Sequence, residues 1–458
     1  MDEKLNEKEL AFELLETKQF SKLKLLLAEM NSADIAEFLS ELSYETLLLA
    51  FRILPKDQAA DIFVEMDSDG QEMLIRSFSD NELKAVMDDL FVDDAVDILE
   101  EMPANVVKRI LRFTDPEMRR WINEILKYPE DSAGSIMTVE YVRLKKNMTV
   151  DDAIKHIRNT GPDKETIYTC YVTDLNNKLI GMVSAKDLLL SKPGDIIEDI
   201  METNVIYFHT LEDKENVANA FDKYGFMAIP VVDDETRLLG IVTFDDAIEV
   251  LQDEATEDIE KMAAIIPSEK TYLKTGVFET WKQRIPWLLL LMVSAAFTGK
   301  IISSFEGALA SCVILTAFIP MLMDTAGNSG GQTSVTIIRS LSLGDIEMKD
   351  IFRIMWKEFR VALVCGITLG IVNFAKMMIF DSSAIASDGQ SAVLVSLVVS
   401  VTLVVTIVFA KIVASILPIG AKKIGFDPAV MASPFITTIV DALALLVYFN
   451  IAKAFLGI

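Results

Sequence analysis

Residues 434–449 read PFITTIVDALALLVYF, an apolar run that carries a single carboxylate, Asp441. A helix of about 20 such residues is long enough to cross the roughly 30 Å hydrocarbon core of a bilayer. An aspartate near the centre of such a helix costs about 2.5 to 3.5 kcal/mol on insertion scales, so a packing role alone does not explain it. Asp441 therefore predicts a polar feature inside a membrane domain.

The residues after position 285 contain further apolar segments of this kind. Their bounds are 286–304, 308–331, 359–380, 391–417 and 434–456. Lys and Arg are concentrated before the first segment, between the second and third, and between the fourth and fifth, which places these ends in the cytoplasm. We expect an all-α domain of five transmembrane helices over residues 286–458, in the inner (plasma) membrane and with its C-terminus outside.

The charge of the chain is distributed very unevenly. Residues 286–458 hold 10 acids and 11 bases, so residues 1–285 hold 59 acids and 32 bases, a net charge of −27. Such an acidic surface excludes nucleic acid as a partner and favours cations. The N-terminal sequence MDEKLNEKELAFELL has no basic region followed by an apolar stretch, so we expect no cleavable signal and a cytoplasmic N-terminus.

Three kinds of sequence precede the membrane segments. Residues 1–128 have helical periodicity and predict an all-α, superhelical N-terminal domain. Residues 129–255 contain an internal repeat, in which IMTVEYVRLKKNMTVDDAIKHI recurs as IMETNVIYFHTLEDKENVANAF, and predict two α+β modules. Residues 256–285 have a broken helical pattern and predict a connecting helix along the membrane face.

Three further motifs accompany this order of domains: PMLMDTAGNSGGQ at 320–332, GFDPAVMASPFITTIVD at 425–441 and DEATEDIEKM at 253–262. Together they closely resemble the MgtE family of magnesium channels, over essentially the whole chain. The resemblance implies that the repeat is a tandem pair of CBS domains, that residues 256–285 form a plug helix, and that the protein is a homodimer. Ala326 departs from the family pattern, which usually has a glycine at this position.

Magnesium is a small, hard cation that prefers oxygen ligands and keeps several waters, so one carboxylate per subunit can hold the hydrated ion. The resemblance implies that Asp441 selects the ion and that the pore runs between helices of the dimer. Gly327, Asn328, Thr437 and Thr438 are the predicted pore-lining residues. Two other interpretations stay open: Asp441 pairs with Lys411 or Lys453, or the glycine-rich motif only packs helices.

Several acids in the cytoplasmic part share one face of a predicted helix, where like charges repel. These are Asp93 with Asp97, Asp246 with Glu249, and Glu254 with Glu257 and Asp258. The resemblance implies a magnesium sensor in which Asp61, Asp93 and Asp97 meet Asp246. It also implies that Glu215, Glu254, Glu257, Asp258 and Asp427 bind ions near the pore mouth. Bound cytosolic Mg²⁺ would close the pore, although a solvated acidic surface would show the same spacing.

Each repeat ends in a hydroxyl-x-x-acid pattern, Ser184 with Asp187 and Thr243 with Asp246. CBS modules use this pattern for nucleotide ribose, so ATP is an expected modulator, with helix capping as the alternative. We expect a magnesium channel and no enzyme. The rival hypotheses are a carrier that exchanges Mg²⁺, Co²⁺ or Mn²⁺ for Na⁺ or H⁺, an intramembrane protease using Asp324 and Asp441, and a sensor without transport.

Overall fold

The computed structural model describes residues 2–56, 58–268, 272–273, 275–431 and 433–457. The chain divides into two compact units, residues 1–251 and residues 252–458. The first unit contains short helices followed by two small sheets, and the second is helical. The expected order of a helical domain, an α+β repeat and a helical membrane domain is therefore correct.

The first unit begins with a run of short helices, as the periodicity predicts. Their bounds are α1 (Asp2–Glu16), α2 (Phe20–Leu27), α3 (Ser32–Ser40), α4 (Tyr44–Ile53), α5 (Ala59–Val64), α6 (Ser68–Ser77), α7 (Asp80–Asp88), α8 (Val92–Glu101), α9 (Ala104–Phe113) and α10 (Pro116–Ile125). Local N-caps start several of them: Ser79 forms a capping box with Glu82 at the start of α7, and Asp115 accepts from the Glu117 N–H at the start of α10. Their apolar faces form one core that includes Phe38 and Phe63.

The repeat folds as two three-stranded sheets with the same topology. The first contains β1 (Tyr141–Lys145), β2 (Thr166–Thr173) and β3 (Leu179–Ser184), and the second β4 (Phe208–His209), β5 (Ala228–Val232) and β6 (Leu238–Thr243). In each sheet the first strand pairs parallel to the second, and the second pairs antiparallel to the third. The helices between and after the strands are α11 (Val150–Thr160), α12 (Ala185–Leu190), α13 (Ile197–Ile200), α14 (Lys214–Tyr224) and α15 (Phe244–Met262).

Two equivalent turns join the copies of the repeat. Asn177 and Thr236 occupy the same place in their hairpins and both have positive φ, 64° and 63°. The Leu179 N–H donates to the Thr236 carbonyl at 2.9 Å, and the Leu238 N–H donates to the Asn177 carbonyl at 3.0 Å. This reciprocal pair of hydrogen bonds gives the two copies a twofold relationship.

The second unit consists of long helices with short helical connections. Its helices are α16 (Val277–Ser304), α17 (Glu306–Ser311), α18 (Ile319–Ser342), α19 (Ile351–Lys376), α20 (Ser382–Ser387), α21 (Ala392–Lys423) and α22 (Ser433–Leu456). In the described part of the chain, four segments are long and apolar enough to cross a membrane: Val277–Ser304, Met348–Ser387, Ala392–Lys423 and Pro428–Leu456. The chain is therefore a membrane protein.

The predicted second span, 308–331, differs from the structure. Its first residues form the short helix α17 and a 3₁₀ segment, Val313–Phe318, and the long helix α18 starts only at Ile319. Helix α18 has 24 residues but is not among the four apolar segments. Its central residues are the polar AGNSGGQ sequence, so hydropathy alone cannot locate this helix.

The predicted connecting helix, 256–285, is not continuous. Helix α15 carries its first residues and ends at Met262, and helix α16 begins at Val277. Ala264 has a positive φ of 56°, which breaks the helical path, and Pro267 follows. Residues 269–271 and 274 of this prediction lie outside the described residues.

Glycines allow the long helices to approach one another closely. A Cβ at Gly366 would lie 3.2 Å from Val404 Cα, and one at Gly370 would lie 3.3 Å from the Ser400 carbonyl oxygen. Helices α19 and α21 therefore pack nearly backbone to backbone at these positions, as small residues permit in membrane proteins.

Candidate ion path and cation-binding acids

Asp441 lies in α22, on the side of this helix that contacts α18. The contact is closest at Gly327, where an added Cβ would lie 3.1 Å from Thr437 Cγ2 and 3.9 Å from Asp441 Oδ1. A side chain at position 327 would crowd Thr437, so glycine allows the two helices to meet here. The structure thus brings together three of the residues that the sequence predicted for the ion path.

A polar stripe runs along the exposed flank of α18. Asp324, Asn328 and Gln332 are spaced by four residues and are all exposed, whereas Ala326 and Gly327 are buried. Asp324 lies close enough to Asp441 for the two carboxylates to interact electrostatically. Hydrocarbon is a costly environment for such a stripe, which therefore needs water, an ion or another protein surface opposite it.

The two threonines before Asp441 satisfy their hydroxyl groups locally. The hydroxyls of Thr437 and Thr438 donate to the Pro434 carbonyl at 2.9 and 3.1 Å. Their oxygen lone pairs stay available to accept hydrogen bonds from water. These residues can therefore contact a hydrated ion without breaking their own bonds.

The structure does not pair Asp441 with either lysine considered from the sequence. Lys411 Nζ lies 3.6 Å from Glu358 Oε2, and Lys453 Nζ lies 5.4 Å from the ring centroid of Phe305. Within the described ranges, Asp441 has no basic partner. Its carboxylate is therefore available to a mobile cation.

The buried network around Lys411 was not predicted. Lys411 on α21 is 5% exposed and donates a 2.9 Å hydrogen bond to the Thr333 hydroxyl of α18. The Thr333 hydroxyl in turn donates to Glu358 Oε2 of α19 at 3.0 Å. Three helices are thus joined directly beside the AGNSGGQ motif. The sequence did contain a signal for this network, because Lys411 stands alone in an apolar run and such residues rarely lack a polar partner.

Acids converge in the first unit around Asp93, which is only 7% exposed. Its Oδ1 atom is buried and has no hydrogen-bond partner in the described part of the chain. Burial, followed by the nearby Asp246, Asp94, Glu165 and Glu140 carboxylates, raises the pKa of Asp93 well above its ordinary value. We call these five residues the acid cluster.

Other members of the acid cluster are perturbed for the same reason. Burial and the Asp246 carboxylate raise the pKa of Asp94 to about 7, and burial and the Asp94 carboxylate raise the pKa of Glu165 to about 8. Burial also raises the pKa of Asp246, although the Thr243 hydroxyl donates to its carboxylate and opposes the shift. An arrangement of acids that bind protons this strongly is also suited to bind a divalent cation.

Three further predicted acids of this unit, Asp97, Glu249 and Asp61, lie at the rim of the cluster. Desolvation and the Asp246 and Glu249 carboxylates raise the pKa of Asp97 to about 8. Asp97 and Glu249 are themselves exposed, so water screens them and Asp93 is the stronger evidence for a cation site. Asp61, in the first turn of α5, is exposed and interacts with Asp94. Glu140 and Glu165 were missed because they precede strands and share no helix face.

Glu215 lies in the first turn of α14, away from the helix faces that suggested the sensor. Its N–H donates to Asp213 Oδ1 at 2.8 Å, a capping contact at the start of the helix. Its predicted role as an ion ligand stays a prediction.

The predicted acids of the second unit surround a lysine. Lys261 Nζ lies 2.6 Å from Glu257 Oε1 and 2.7 Å from Asp427 Oδ2. Burial alone would lower the pKa of Lys261, but its hydrogen bonds to these two carboxylates raise it. Burial and Asp427 raise the pKa of Asp258, which is partly buried beside them, and Glu254 lies one turn earlier on α15. A lysine thus occupies the place predicted for a metal ion.

The described residues contain no group of three or more His, Cys, Asp or Glu side chains placed to ligate one metal ion directly. The acid cluster nevertheless fits a hydrated Mg²⁺, because its ligands are carboxylate oxygens and Asp93 Oδ1 has no donor of its own. Magnesium keeps several waters, which can span the gaps between carboxylates.

The predicted nucleotide residues cap helices. The Ser184 hydroxyl donates to Asp187, whose N–H donates back to Ser184 Oγ at 3.1 Å at the start of α12. Thr243 and Asp246 make the equivalent contact at the end of β6. Asp246 also belongs to the acid cluster, so its two predicted roles compete for one carboxylate.

The geometry defines a class: a membrane transport protein with a regulatory unit built from helices and a CBS-like repeat. Three family models match the chain. They describe an MgtE intracellular N domain at residues 30–131, CBS domains at 133–193 and 197–253, and a divalent cation transporter, MgtE, at 319–451. The last match begins at the first residue of α18.

Similar proteins cover nearly the whole chain. "Magnesium transporter MgtE" of Thermus thermophilus is 34% identical over 95% of both chains, and that of Bacillus subtilis is 32% identical over 93% of this chain and 92% of its own. The structure entitled "Crystal structure of the cytosolic domain of the Mg2+ channel MgtE in complex with ATP" is 34% identical, with a TM-score of 0.50, over 52% of this chain and 99% of its own. The chain belongs to the MgtE family.

Proposed function

We propose that this protein transports Mg²⁺ across the membrane through a path lined by α18 and α22. The observation that carries the proposal is the close contact of Asp441 on α22 with Gly327 on α18. This contact lies beside the exposed polar stripe of α18, which consists of Asp324, Asn328 and Gln332. Full-length relatives are named as magnesium transporters, which supports Mg²⁺ as the transported ion. Asp441 would hold the hydrated ion through water and select it by charge and size.

A second copy of the chain would complete the path. In one copy the polar stripe of α18 is exposed, and a twofold axis beside it would place two Asp441 carboxylates around one ion. The path would then run between protomers of a homodimer, with α18 as the fifth membrane crossing. An odd number of crossings puts the C-terminus outside when the acidic unit is cytoplasmic.

The acid cluster is proposed to sense cytosolic Mg²⁺. Ions that bind the compact arrangement of the first unit more tightly than an open one shift the population toward the compact, closed state. When Mg²⁺ falls, repulsion among Asp93, Asp94, Asp246 and Glu165 favours opening. The acids around Lys261 are proposed as a second regulatory site, with residues 256–285 as the plug that connects sensor and pore.

ATP is proposed as a modulator at the repeat. The support is the relative whose cytosolic domain was crystallised with ATP, together with Ser184 and Asp187, which are at the start of α12. The Asp187 carboxylate is exposed and could accept from a ribose hydroxyl while keeping its capping bond.

The test is Mg²⁺ uptake into proteoliposomes by the parent, Asp441→Ala and Asp441→Asn. We expect both variants to lose at least about tenfold in rate, because they lack the charge that binds the ion. Asp388→Asn is the matched control: among the described residues its carboxylate accepts one hydrogen bond, from the Ile314 N–H at 3.1 Å, and an amide oxygen can accept the same bond. Full uptake by both Asp441 variants would refute the proposed site.

The same assay separates a channel from an exchanger. A channel needs only the Mg²⁺ gradient, and we expect uptake to be unchanged when Na⁺ and H⁺ are equal on both sides. Uptake that requires an opposing Na⁺ or H⁺ gradient would favour the carrier.

A further inference from the structure

The first turns of α19 carry an exposed face of unusual composition. Arg353, Trp356, Lys357 and Arg360 recur at helical spacing and are all exposed. Trp356 is 60% exposed, and the neighbouring Phe352 is 81% exposed. Three cations and two large aromatic side chains thus share the end of a membrane helix, over a length of about 10 Å.

The three cations of this face form no ion pair with an acid among the described residues. In the described part of the chain, Arg353, Lys357 and Arg360 have no carboxylate partner, although acids lie close in sequence. Glu358 faces the opposite side of α19 and pairs with Lys411, and Glu347 pairs with Lys349 at 2.9 Å. The charges are therefore available to an external anion.

The aromatic residues hold part of this face in place. The guanidinium of Arg360 lies 5.8 Å from the centroid of the Trp356 ring, and Trp356 stacks on Phe359 at 5.8 Å with an interplanar angle of 14°. The Arg360 Nε–H also donates to the Trp356 carbonyl at 3.4 Å, so the side chain is restrained and loses less entropy when its remaining N–H groups bind a ligand.

The same side of α19 becomes apolar one turn later. Val364, Ile367 and Ile371 are 67%, 47% and 66% exposed. The change from cations to aliphatic side chains marks the boundary between headgroups and hydrocarbon, where Trp is typically found. A ligand of this surface would therefore need an anionic group and an apolar tail.

We propose that this face binds an anionic phospholipid, with the headgroup phosphate between Arg353, Lys357 and Arg360 and the acyl chains along Val364 and Ile367. Arginine provides paired N–H donors for phosphate oxygens, and Lys357 adds a point charge. A soluble phosphate would use the cations but leave the aliphatic continuation without a role. The proposal depends on the membrane location of α19 and not on the transported ion.

The experiment is native mass spectrometry of the full chain in detergent, titrated with phosphatidylglycerol or phosphatidylcholine. We expect the parent to retain phosphatidylglycerol preferentially. Each cation removed from a membrane surface weakens binding by about 1 kcal/mol, or roughly fivefold, so Arg353→Gln/Lys357→Gln/Arg360→Gln should lose roughly 100-fold in affinity. The preference should also decrease as salt rises.

Two variants control for charge and folding. Lys349→Gln removes a cation from the same end of the domain, but this lysine already pairs with Glu347, so we expect parental binding. Arg353→Lys/Arg360→Lys keeps the charges and should retain most of the preference. If the triple variant does not fold, the single Arg353→Gln variant should still bind about fivefold more weakly.

Three outcomes would overturn the proposal. The parent could bind both lipids equally, the Gln variants could bind as tightly as the parent, or soluble glycerol phosphate could compete fully with the lipid.

Discussion

Lys411 and Asp93 are both almost completely buried, but their surroundings are opposite. Lys411, in the membrane unit, is joined to Glu358 and Thr333, so its charge is balanced within the protein. Asp93, in the cytoplasmic unit, is surrounded by Asp94, Asp246 and Glu165, and its Oδ1 has no hydrogen-bond partner among the described residues. One buried charge is compensated internally, and the other is compensated only by protons or by ions from solution.

This difference separates a structural charge from a regulatory one. A compensated pair holds helices together under all conditions, whereas an uncompensated cluster makes stability depend on an exchangeable cation. Lys261 is intermediate, because its ammonium group bridges Glu257 and Asp427 but all three side chains are partly exposed. Substitutions at these three places should therefore have different magnitudes and different dependences on Mg²⁺.

The largest effect on stability is expected from Lys411→Met. It leaves the Glu358 carboxylate, whose side chain is 14% exposed, with the Thr333 hydroxyl but without a cation, and removing one partner of a buried pair costs about 3 to 5 kcal/mol. For a unit of this size we expect the apparent melting temperature in detergent to fall by roughly 6 to 20 °C. The fall should be the same with and without Mg²⁺, because the pair is internal.

A double substitution and a matched lysine sharpen this result. Lys411→Met/Glu358→Gln removes both charges and should recover part of the lost stability. Lys376→Met breaks a 2.8 Å pair with Asp381 whose side chains are 48% and 27% exposed, so its cost should stay below about 1 kcal/mol. If Lys411→Met were no worse than Lys376→Met, the buried pair would not be structural.

The acid cluster should make stability depend on pH in the opposite sense to an ion pair. The folded-state pKa values of Asp94 and Glu165, about 7 and about 8, lie above their ordinary values near 4, so the compact state binds protons more tightly. Stability from these groups is complete below about pH 4 and is lost as pH rises through about 8. In EDTA the melting temperature should therefore fall by several degrees between pH 6 and pH 8.5.

Added Mg²⁺ should flatten this pH dependence, because the ion replaces protons between the carboxylates. Asp94→Asn should also reduce the slope in EDTA, since one titrating group is removed. A melting temperature that rises over the same pH interval would contradict the assignment of an uncompensated cluster.

The smallest effect on stability is expected from Lys261→Met. Partly exposed ion pairs contribute about 0.5 to 1 kcal/mol, so the loss without Mg²⁺ should be of this order. Removing the ammonium also leaves the Glu257 and Asp427 carboxylates available to bind Mg²⁺. We therefore expect Mg²⁺ to protect the α15 amides from hydrogen exchange with a midpoint at a severalfold lower Mg²⁺ concentration. Lys349→Met, which breaks an exposed pair with Glu347, is the control and should leave the midpoint unchanged. An unchanged midpoint for Lys261→Met would show that Mg²⁺ does not compete with this lysine.

The parts of the fold that were predicted correctly are those with local patterns. The repeated sequence at 129–255 predicted two α+β modules, because strand, helix and hairpin signals recur in the same order, and each module contains a three-stranded sheet. Helix α18 was misplaced because its start depends on how residues 313–318 pack, while its centre is glycine-rich and polar. The sequence indicated a broken helical pattern over residues 256–285, but it did not place the break after Met262, although Pro267 gave a local signal.

The candidate site was predictable to the extent that its acids share helix faces. Asp93 and Asp246 were found in this way, and Asp441 was found as a charge in an apolar run. Glu165 and Lys411 were not assigned, because their partners come from distant parts of the chain and only tertiary packing brings them together. Sequence spacing identifies residues that are neighbours on one helix or strand, whereas charge compensation depends on residues from several helices and strands.

The most direct test of the regulatory claim is Mg²⁺ flux through the full-length protein as Mg²⁺ is raised on the side of the N-terminal unit. In the parent, flux should fall as the acid cluster fills, and Asp93→Asn/Asp97→Asn/Asp246→Asn should stay open at the same concentrations. The control, Asp163→Asn/Asp222→Asn/Asp234→Asn, changes three exposed acids outside the cluster and should close like the parent. Closure of the first triple variant at the parental Mg²⁺ concentration would contradict the account.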